Sequence, residues 1–281
     1  MIIDMHTHSS PWSVDGVQTV PELIEELEHR GVDGAALTDH FDFNSVSEDG
    51  RRWIFNINEY YQENKRFCKY PSMLTSSDKP GILLGIEISF SRNHVLQTQE
   101  IINNEQLDTI ILSVHDYKGI DPVVDAKDLC IGKISDIYRK IIDEIAFSMS
   151  IFPKANVCGH YDFFSRYIPI NNPKMYYKYA PESFDNLFSI LIRNQQALEI
   201  NTGTIAAFVN NLGMPVETSM PDPEIISRYR EMGGNIITIA SDAHCTKDCA
   251  RYFPETMHWL KLQGIDKLSW MEKREWHWYS I

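Results

Sequence analysis

Six of the ten histidines in the 281-residue sequence share one setting, the end of a short apolar segment. Each stands at or just beyond a stretch with the length and composition of a buried β-strand. These six are His6, His8, His40, His115, His160 and His244. Carboxylates occur at comparable places, at Asp15, Glu87 and Asp242. Because neutral imidazole and carboxylate oxygen are ligands that suit Zn²⁺, Mn²⁺ and Fe²⁺, these side chains predict a metal centre.

The number of these side chains bears on the number of ions. Six histidines and three carboxylates exceed what one ion takes from a protein while a position stays open for water. We therefore expect two or three divalent ions of Zn, Mn or Fe. Neighbouring cations also require a bridging carboxylate, and we expect Glu87 in that role. In His6-Thr7-His8 both rings point to one side, since strand side chains alternate with a period of two.

The segments that precede these residues predict the elements that position them. Seven short apolar segments have the character of strands, at residues 1–5, 34–38, 82–88, 109–114, 155–159, 197–200 and 235–240. Helical patterns occur at residues 20–30, 58–69, 133–150, 182–195, 221–232 and 246–262. Strands that alternate with helices indicate parallel pairing. Because the candidate ligands follow the carboxyl ends of the strands, the pattern favours an α/β barrel over a doubly wound sheet.

Long connections lie between these elements, and we expect them to build the walls of a pocket. They cover residues 41–57, 71–80, 91–106, 116–132 and 161–180. No composition shift marks a boundary, so we expect a single domain over residues 1–281. The aromatic tail at residues 270–278 is interpreted either as a packing segment or as a contact in a homo-oligomer.

Charge and composition exclude several classes of protein. With 26 basic and 39 acidic residues the formal net charge is −13, which repels polyanions, so no nucleic-acid partner is expected. The apolar runs are far shorter than the roughly twenty residues of a membrane span, so no membrane association is expected. Five cysteines without a paired pattern, and no secretory leader, favour reduced thiols in the cytoplasm. Cys245 and Cys249 are interpreted as structural.

The motifs around the candidate ligands resemble, in order and over nearly the whole chain, those of the PHP (polymerase and histidinol phosphatase) superfamily. They are His6-Thr7-His8, Asp15, Thr38-Asp39-His40, Glu87, Ser113-Val114-His115, Gly159-His160 and Ser241-Asp242-Ala243-His244. Within that superfamily, the segments at 159–167 and 198–202 most resemble those of stand-alone histidinol-phosphatases. The resemblance implies a distorted (β/α)₇ barrel with the ions at the carboxyl ends of its strands.

The resemblance also implies roles for individual residues. It assigns three ions to the following groups: His6, His8, Glu87 and Asp242; Glu87, His115 and His160; and Asp15, His40 and His244. Arg166 would bind the substrate phosphate, which its planar guanidinium matches, and His160 would adjoin the substrate. Catalytic roles are expected for Asp242, His244 and Glu87. The proton for the leaving group comes from Asp242, from a histidine or from a metal-bound water, and the sequence leaves these alternatives open.

The expected activity is hydrolysis of a small phosphate monoester by attack of a metal-activated hydroxide on phosphorus, with L-histidinol phosphate as the first choice on resemblance. The alternatives are a phosphodiesterase or exonuclease, a protein-tyrosine phosphatase, a metal-dependent amidohydrolase, and a non-catalytic binding module. An amidohydrolase normally has a bridging carboxylated lysine where this chain has Glu87.

Individual residues also have simpler interpretations. Asp15 could form a turn with Gly16, and Arg166 could form a surface salt bridge. Asp4 and Asp39 adjoin candidate ligands and could orient imidazole rings, but Asp4 could equally cap or solvate the end of a strand.

Overall fold

The computed structural model describes residues 1–47, 50–75, 78–129 and 132–281, so Cys130 lies outside the description. Seven strands form one sheet in which neighbours are parallel and the spatial order follows the sequence order. They are β1 (Ile3–Thr7), β2 (Gly34–Phe41), β3 (Gly81–Ser89), β4 (Thr109–Ser113), β5 (Val157–Cys158), β6 (Ala197–Asn201) and β7 (Ile237–Ala240). The strands are buried along their whole length, as expected for parallel strands covered on both faces. The seven predicted strands are confirmed.

The two outer strands, β1 and β7, meet at their carboxyl ends. The backbone N–H of Asp242 donates to the carbonyl oxygen of His6 at 2.9 Å, and that of His8 donates to the carbonyl oxygen of Ala243 at 2.9 Å. Thr7 and Ala243 also form an isolated parallel bridge. The sheet is thus a nearly closed barrel, which confirms the predicted fold class. The closing contacts lie among the residues that the sequence predicts as metal ligands.

Helices follow the strands and cover the outside of the barrel. They are α1 (Val20–Arg30), α2 (Ile57–Asn64), α3 (Val95–Ile102), α4 (Pro122–Leu129), α5 (Ile134–Ile151), α6 (Pro181–Asn194), α7 (Thr202–Leu212), α8 (Val216–Ser219), α9 (Pro223–Glu231) and α10 (Phe253–Leu262). In α1, Thr19 and Glu22 form a capping box, and Gly31 ends the helix with φ 67°. Among the described helices, none has both the length and the apolar character needed to cross a membrane.

Two helix predictions are wrong at one end. The helix predicted over residues 246–262 begins only at Phe253, because Ala250 and Tyr252 adopt φ of 46° and 59°, which a right-handed helix does not allow. The helix predicted over residues 58–69 ends at Asn64 and continues as a 3₁₀ turn, Lys65–Phe67.

Four helices, α3, α4, α7 and the one-turn α8, lie outside the predicted helical segments. The first two lie within predicted loops. The third, α7, contains glycine, threonine and asparagine, which have low helix propensity, so its sequence gave a weak signal. Its cap is nevertheless well formed, since the side chain of Asn201 accepts from the backbone N–H of Gly203.

A C-terminal hairpin, β8 (Lys267–Glu272) and β9 (Glu275–Ser280), packs against the amino-terminal end of the barrel. Arg274, in its turn, donates to the carbonyl oxygens of Ile102, Asn104, Leu107 and Lys154, at 2.8 to 3.3 Å. The packing interpretation of the aromatic tail is therefore confirmed for residues such as Trp270, which is 5% exposed.

Candidate metal centre

The carboxyl ends of the barrel strands bring the nine predicted ligands to one place. His6 lies in β1, His40 in β2 and Glu87 in β3, where His40 and Glu87 are direct partners in the parallel register. The other ligands lie just after strands or in the loop that follows β1: His8, Asp15, His115, His160, Asp242 and His244. The barrel topology therefore joins residues that are up to 238 positions apart in the sequence, since 244 minus 6 is 238.

Glu87 is the centre of this arrangement. Its side chain is completely buried and lies against five imidazole rings. Oε2 is 3.3 Å from His6 Nε2, 3.7 Å from His8 Nε2 and 2.7 Å from His40 Nδ1. Oε1 is 3.1 Å from His115 Nε2 and 2.8 Å from His160 Nε2. One carboxylate therefore faces two groups of imidazole nitrogens, one on each oxygen.

The pKa values of these buried groups are shifted from their ordinary values in solution. Burial raises the pKa of Glu87, but His6, His115 and His40 outweigh it and hold this pKa well below its usual value. Burial lowers the pKa of His8 well below its usual value, and the neighbouring His244 and His40 lower it further. Glu87 is therefore ionised and His8 neutral, which are the protonation states that metal ligation requires.

Asp242 contacts both the histidines of the metal centre and the guanidinium of Arg166. Its Oδ1 lies 3.3 Å from His8 Nε2 and 3.8 Å from His6 Nε2, while its Oδ2 accepts from Arg166 Nη1 at 2.9 Å. Its φ of 57° is in the left-handed region, which aspartate tolerates better than most residues. Burial raises the pKa of Asp242, but His6, His8 and Arg166 lower it well below its usual value.

Asp15 lies at the outer side of the site and is 44% exposed. Its Oδ1 is 3.6 Å from His40 Nε2, and its Oδ2 is 3.3 Å from His244 Nε2. The two histidine Nε2 atoms are 3.1 Å apart. Asp15 thus stands beside the two histidines with which the resemblance grouped it, and it also lies in the turn that Gly16 closes by donating its backbone N–H to the carbonyl oxygen of Ser13 at 3.2 Å.

Three groups of these side chains have ligand atoms close enough to share an ion. They are His6, His8 and Glu87; His40, Glu87 and His115; and His8, His40 and His244, with the ligand atoms of each group within 4.8 Å of one another. These groups overlap with the three implied by resemblance but are not identical to them. In the structure His40 lies close to Glu87, and His8 lies close to His244.

Several buried ligand atoms make no hydrogen bond of good geometry with the residues that the structure describes. They are His6 Nε2, His8 Nε2 and Glu87 Oε2. A buried polar atom without a partner is costly, and these three atoms face one another. A divalent cation with nitrogen and oxygen ligands would satisfy all three, so the residues present fit a metal ion.

Glu199 is a buried residue of the site that the sequence analysis did not single out. Its Oε2 is 3.0 Å from His6 Nδ1, and its Oε1 accepts from the backbone N–H of His160 at 3.0 Å. It therefore orients the ring of His6 from the side opposite Glu87. The available signal was a carboxylate inside the apolar strand segment Ala197–Asn201, since such a buried charge needs a partner.

Asp39 and Asp4 act through other side chains rather than on imidazole rings. Asp39 accepts from the hydroxyl of Ser13 at 2.8 Å, and Ser13 Oγ is 3.0 Å from His8 Nδ1. Asp4 accepts from the backbone N–H and the hydroxyl of Ser241, at 2.9 and 2.5 Å, and so secures the end of β7 before Asp242. Asp39 therefore reaches the ring of His8 through Ser13, and the contacts of Asp4 agree with the alternative that it caps the end of a strand.

A cavity of about 1140 Å³ opens over the metal centre. Its walls come from the predicted connections at 41–57, 91–106, 116–132 and 161–180, with aromatic side chains at Trp53, Tyr117, Phe163 and Tyr167. No described residue of the connection at 71–80 lines it, so that prediction is wrong. Ser72 instead donates to Glu272 of the C-terminal hairpin, at the other end of the barrel.

Arg166 also lines the cavity, next to Asp242. Its side chain is only 9% exposed, so the interpretation as a surface salt bridge is wrong. The Cys245 and Cys249 thiols lie outside the three candidate ligand groups found among the described residues. Cys249 is buried, with Sγ 3.5 Å from Gln18 Oε1, which agrees with a structural role.

A parallel barrel with imidazoles and carboxylates gathered at the carboxyl ends of its strands defines a class of metal-dependent enzymes. The chain belongs to the PHP domain family, whose profile matches residues 4–203. The resemblance stated from the sequence motifs is thus confirmed.

Curated relatives share about a quarter of their residues with this chain. A probable histidinol-phosphatase of Thermotoga maritima is 26% identical over 270 residues, which cover 95% of each chain. A probable histidinol-phosphatase of Clostridium acetobutylicum is 25% identical over 247 residues, 87% of each chain. A histidinol-phosphatase of Lactococcus lactis is 25% identical over 246 residues, 87% of this chain and 85% of the relative.

A solved structure shares the fold over nearly the whole chain. It is that of a histidinol phosphate phosphatase from Lactococcus lactis in complex with zinc, L-histidinol and phosphate. The TM-score is 0.79 at 21% identity, and the match covers 98% of both chains. The likeness supports the barrel architecture described above.

Proposed function

We propose that this protein is a metal-dependent phosphomonoesterase that hydrolyses L-histidinol phosphate to L-histidinol in histidine biosynthesis. Residues 1–281 would act as a single domain on a small phosphorylated metabolite. A biosynthetic role of this kind would place the protein in the cytoplasm. The names of the curated relatives support the choice of substrate.

One observation carries the proposal, namely a buried carboxylate surrounded by five imidazole rings. Glu87 has two oxygens that face different rings, which is the arrangement that a carboxylate bridging two cations requires. An isolated buried carboxylate would be neutral, yet the surrounding histidines hold the pKa of Glu87 well below its usual value. The chain therefore maintains a charged carboxylate where a metal centre would use it.

We further propose that two or three divalent ions bind here, of Zn, Mn or Fe. The candidate ligands are the nine side chains of the sequence analysis: His6, His8, Asp15, His40, Glu87, His115, His160, Asp242 and His244. The zinc in the related Lactococcus structure supports the choice of zinc as the first ion to test. When bound, such ions would neutralise phosphoryl oxygens and lower the pKa of a water molecule.

The protein's own groups would bind and orient the substrate. Arg166, at the wall of the cavity, would donate hydrogen bonds to the phosphoryl oxygens, and His160 would lie beside it. The negative charges of Glu87 and Asp242 would offset part of the positive charge of the bound ions. His244, with 27% of its side chain exposed, is more accessible from the cavity than Asp242, with 7%.

The test is steady-state kinetics on a panel of phosphate monoesters and diesters, using protein whose metal content has been measured. We expect a strong preference for L-histidinol phosphate, and a loss of activity of at least about 100-fold in His115→Ala and Arg166→Ala. His29→Ala is the matched control, because His29 is 81% exposed and lies on α1. Metal-loaded protein that releases no phosphate from any monoester would overturn the proposal.

The alternatives make different predictions in the same assay. Cleavage of diesters alone would indicate a phosphodiesterase or exonuclease, and preference for phosphotyrosine would indicate a protein-tyrosine phosphatase. Hydrolysis of cyclic amides without phosphatase activity would indicate an amidohydrolase. Against the last, none of the seven barrel strands contains the lysine that such enzymes use as a carboxylated bridge.

A further inference from the structure

We propose that the first turn of α7 positions Arg166, with Asn201, Gly203 and Thr204 forming a cradle that presents the guanidinium to the phosphoryl group of the substrate. The inference rests on the proposed function and deepens it. It assigns a positioning role to three residues that are not ligands in any of the three candidate metal groups.

The guanidinium is held through each of its three nitrogens. Nε donates to Thr204 Oγ1 at 3.0 Å, Nη2 donates to Asn201 Oδ1 at 3.0 Å, and Nη1 donates to Asp242 Oδ2 at 2.9 Å. These contacts use three of the five N–H donors that arginine has. One N–H on each terminal nitrogen is left over from them. These remaining N–H groups can donate to oxygens of a phosphate group.

The hydroxyl of Thr204 has a defined direction. It donates its only proton to Asp162 Oδ1 at 2.9 Å, so it can only accept from Arg166 Nε. Asp162 is 9% exposed, which keeps this pair out of competition with water. The hydrogen bonds from Asp162 to Thr204 to Arg166 therefore define one orientation of the guanidinium.

The amide of Asn201 is also constrained at both ends. Its Oδ1 accepts from the backbone N–H of Gly203 at 2.8 Å as the cap of α7, and its Nδ2 donates to Glu199 Oε1 at 2.9 Å. The amide therefore cannot flip without losing both bonds. The amide of Asn201 therefore connects Glu199, which orients His6, with Arg166, which we expect to bind phosphate.

Gly203 leaves the space in which the guanidinium lies. A Cβ atom at this position would be 3.2 Å from Arg166 Nη2, 3.3 Å from Arg166 Cζ and 2.7 Å from Asn201 Oδ1. The φ of Gly203 is not in the left-handed region, so the backbone itself accepts other residues. The need for glycine therefore comes first from the close approach of Asn201 Oδ1 and second from that of the Arg166 guanidinium.

Two variants disturb the cradle from different sides. Gly203→Ala adds a methyl group that meets Asn201 Oδ1 first and the Arg166 guanidinium second, so it disturbs the cap of α7 together with the support of Arg166. Thr204→Val removes the acceptor of Nε without a large change of volume. Thr202→Val is the matched control, because the hydroxyl of Thr202 is also buried in α7 but donates to the carbonyl oxygen of Ala240.

The experiment measures kcat and KM for L-histidinol phosphate, the inhibition constant of inorganic phosphate, and the metal content of each variant. For Gly203→Ala and Thr204→Val we expect KM and the phosphate inhibition constant to rise about tenfold, with unchanged metal content. Thr204→Ser restores the acceptor and is expected to return both constants to within about threefold of wild type. Thr202→Val is expected to stay within about twofold.

Two results would overturn the proposed role of the cradle and leave the proposed function standing. One is an active wild type whose two cradle variants keep KM and the phosphate inhibition constant within about twofold. The other is a loss of activity that follows a loss of bound metal, because that would show a purely structural role. If Thr204→Val does not fold, Gly203→Ala decides the question by the same measurements. Metal-loaded wild type that hydrolyses no monoester overturns the proposed function first.

Discussion

Glu199→Gln is the substitution that tests how the buried carboxylate supports the metal centre. Glu199 Oε2 and His6 Nδ1 are 3.0 Å apart, and both side chains are completely buried. Burial raises the pKa of Glu199, but His6 and His160 outweigh it and lower this pKa below its usual value, so the wild-type residue is ionised. An ionised acceptor keeps the ring proton of His6 on Nδ1 and leaves Nε2 free to bind a metal.

Glutamine is nearly the same size but changes this hydrogen bond. The side-chain oxygen of the glutamine can continue to accept from the backbone N–H of His160. The amide N–H₂ group of the glutamine then points toward His6 Nδ1. The ring would have to move its proton to Nε2, the nitrogen that faces Glu87. Loss of such a supporting interaction weakens metal binding about 10-fold to 100-fold, which corresponds to about 1.4 to 2.8 kcal/mol.

The assay is a titration of metal-free protein with Zn²⁺ in competition with a chelator of known affinity. We expect one class of site to weaken by this factor in Glu199→Gln, while the sites that do not use His6 keep their affinity. Glu272→Gln is the matched control, since Glu272 is 4% exposed, accepts from Ser72 and lies at the other end of the barrel. Equal zinc affinity in Glu199→Gln and wild type would refute the reasoning.

Three further predictions concern stability. Arg274→Ala should lower the free energy of unfolding by about 3 kcal/mol in urea titrations, because buried carbonyl oxygens lose their donor, whereas the exposed Arg139→Ala should change it by less than about 0.5 kcal/mol. Phe184→Ala, in the core of α6, should cost about 3 to 5 kcal/mol, against less than about 0.5 kcal/mol for Leu262→Ala, which is 70% exposed; equal effects would contradict the packing described. Removal of divalent ions by a chelator should lower the melting temperature, and added Zn²⁺ should restore it, because ions that bind only the folded state stabilise it; an unchanged melting temperature would argue against a metal centre.

The main features of the fold followed from local patterns. Short apolar segments alternate with amphipathic ones, and this alternation predicts parallel strands with crossover helices whatever the details of packing. The bounds of α1 were predictable because Thr19, Glu22 and Gly31 form caps within the sequence itself. The start of α10 was not, because Ala250 and Tyr252 adopt positive φ angles that neither residue type suggests.

The candidate site was also only partly predictable from the sequence. Histidines and carboxylates at strand ends were visible because ligand chemistry restricts the residue types. The supporting groups were not, since Glu199, Asn201 and Ser13 acquire their roles only through neighbours that are distant in the sequence. Residue type alone does not show which polar side chain will face which ring.

The fold class and the chemical class of the site follow from short segments of the chain, because hydrophobic period and ligand type are local properties. The folded barrel is needed to show which ligands lie next to one another, how β1 and β7 meet beside Asp242, and how α7 holds Arg166. These depend on the register of strands and the packing of helices around the barrel. Distances between side chains come from that assembly, and no local pattern contains them.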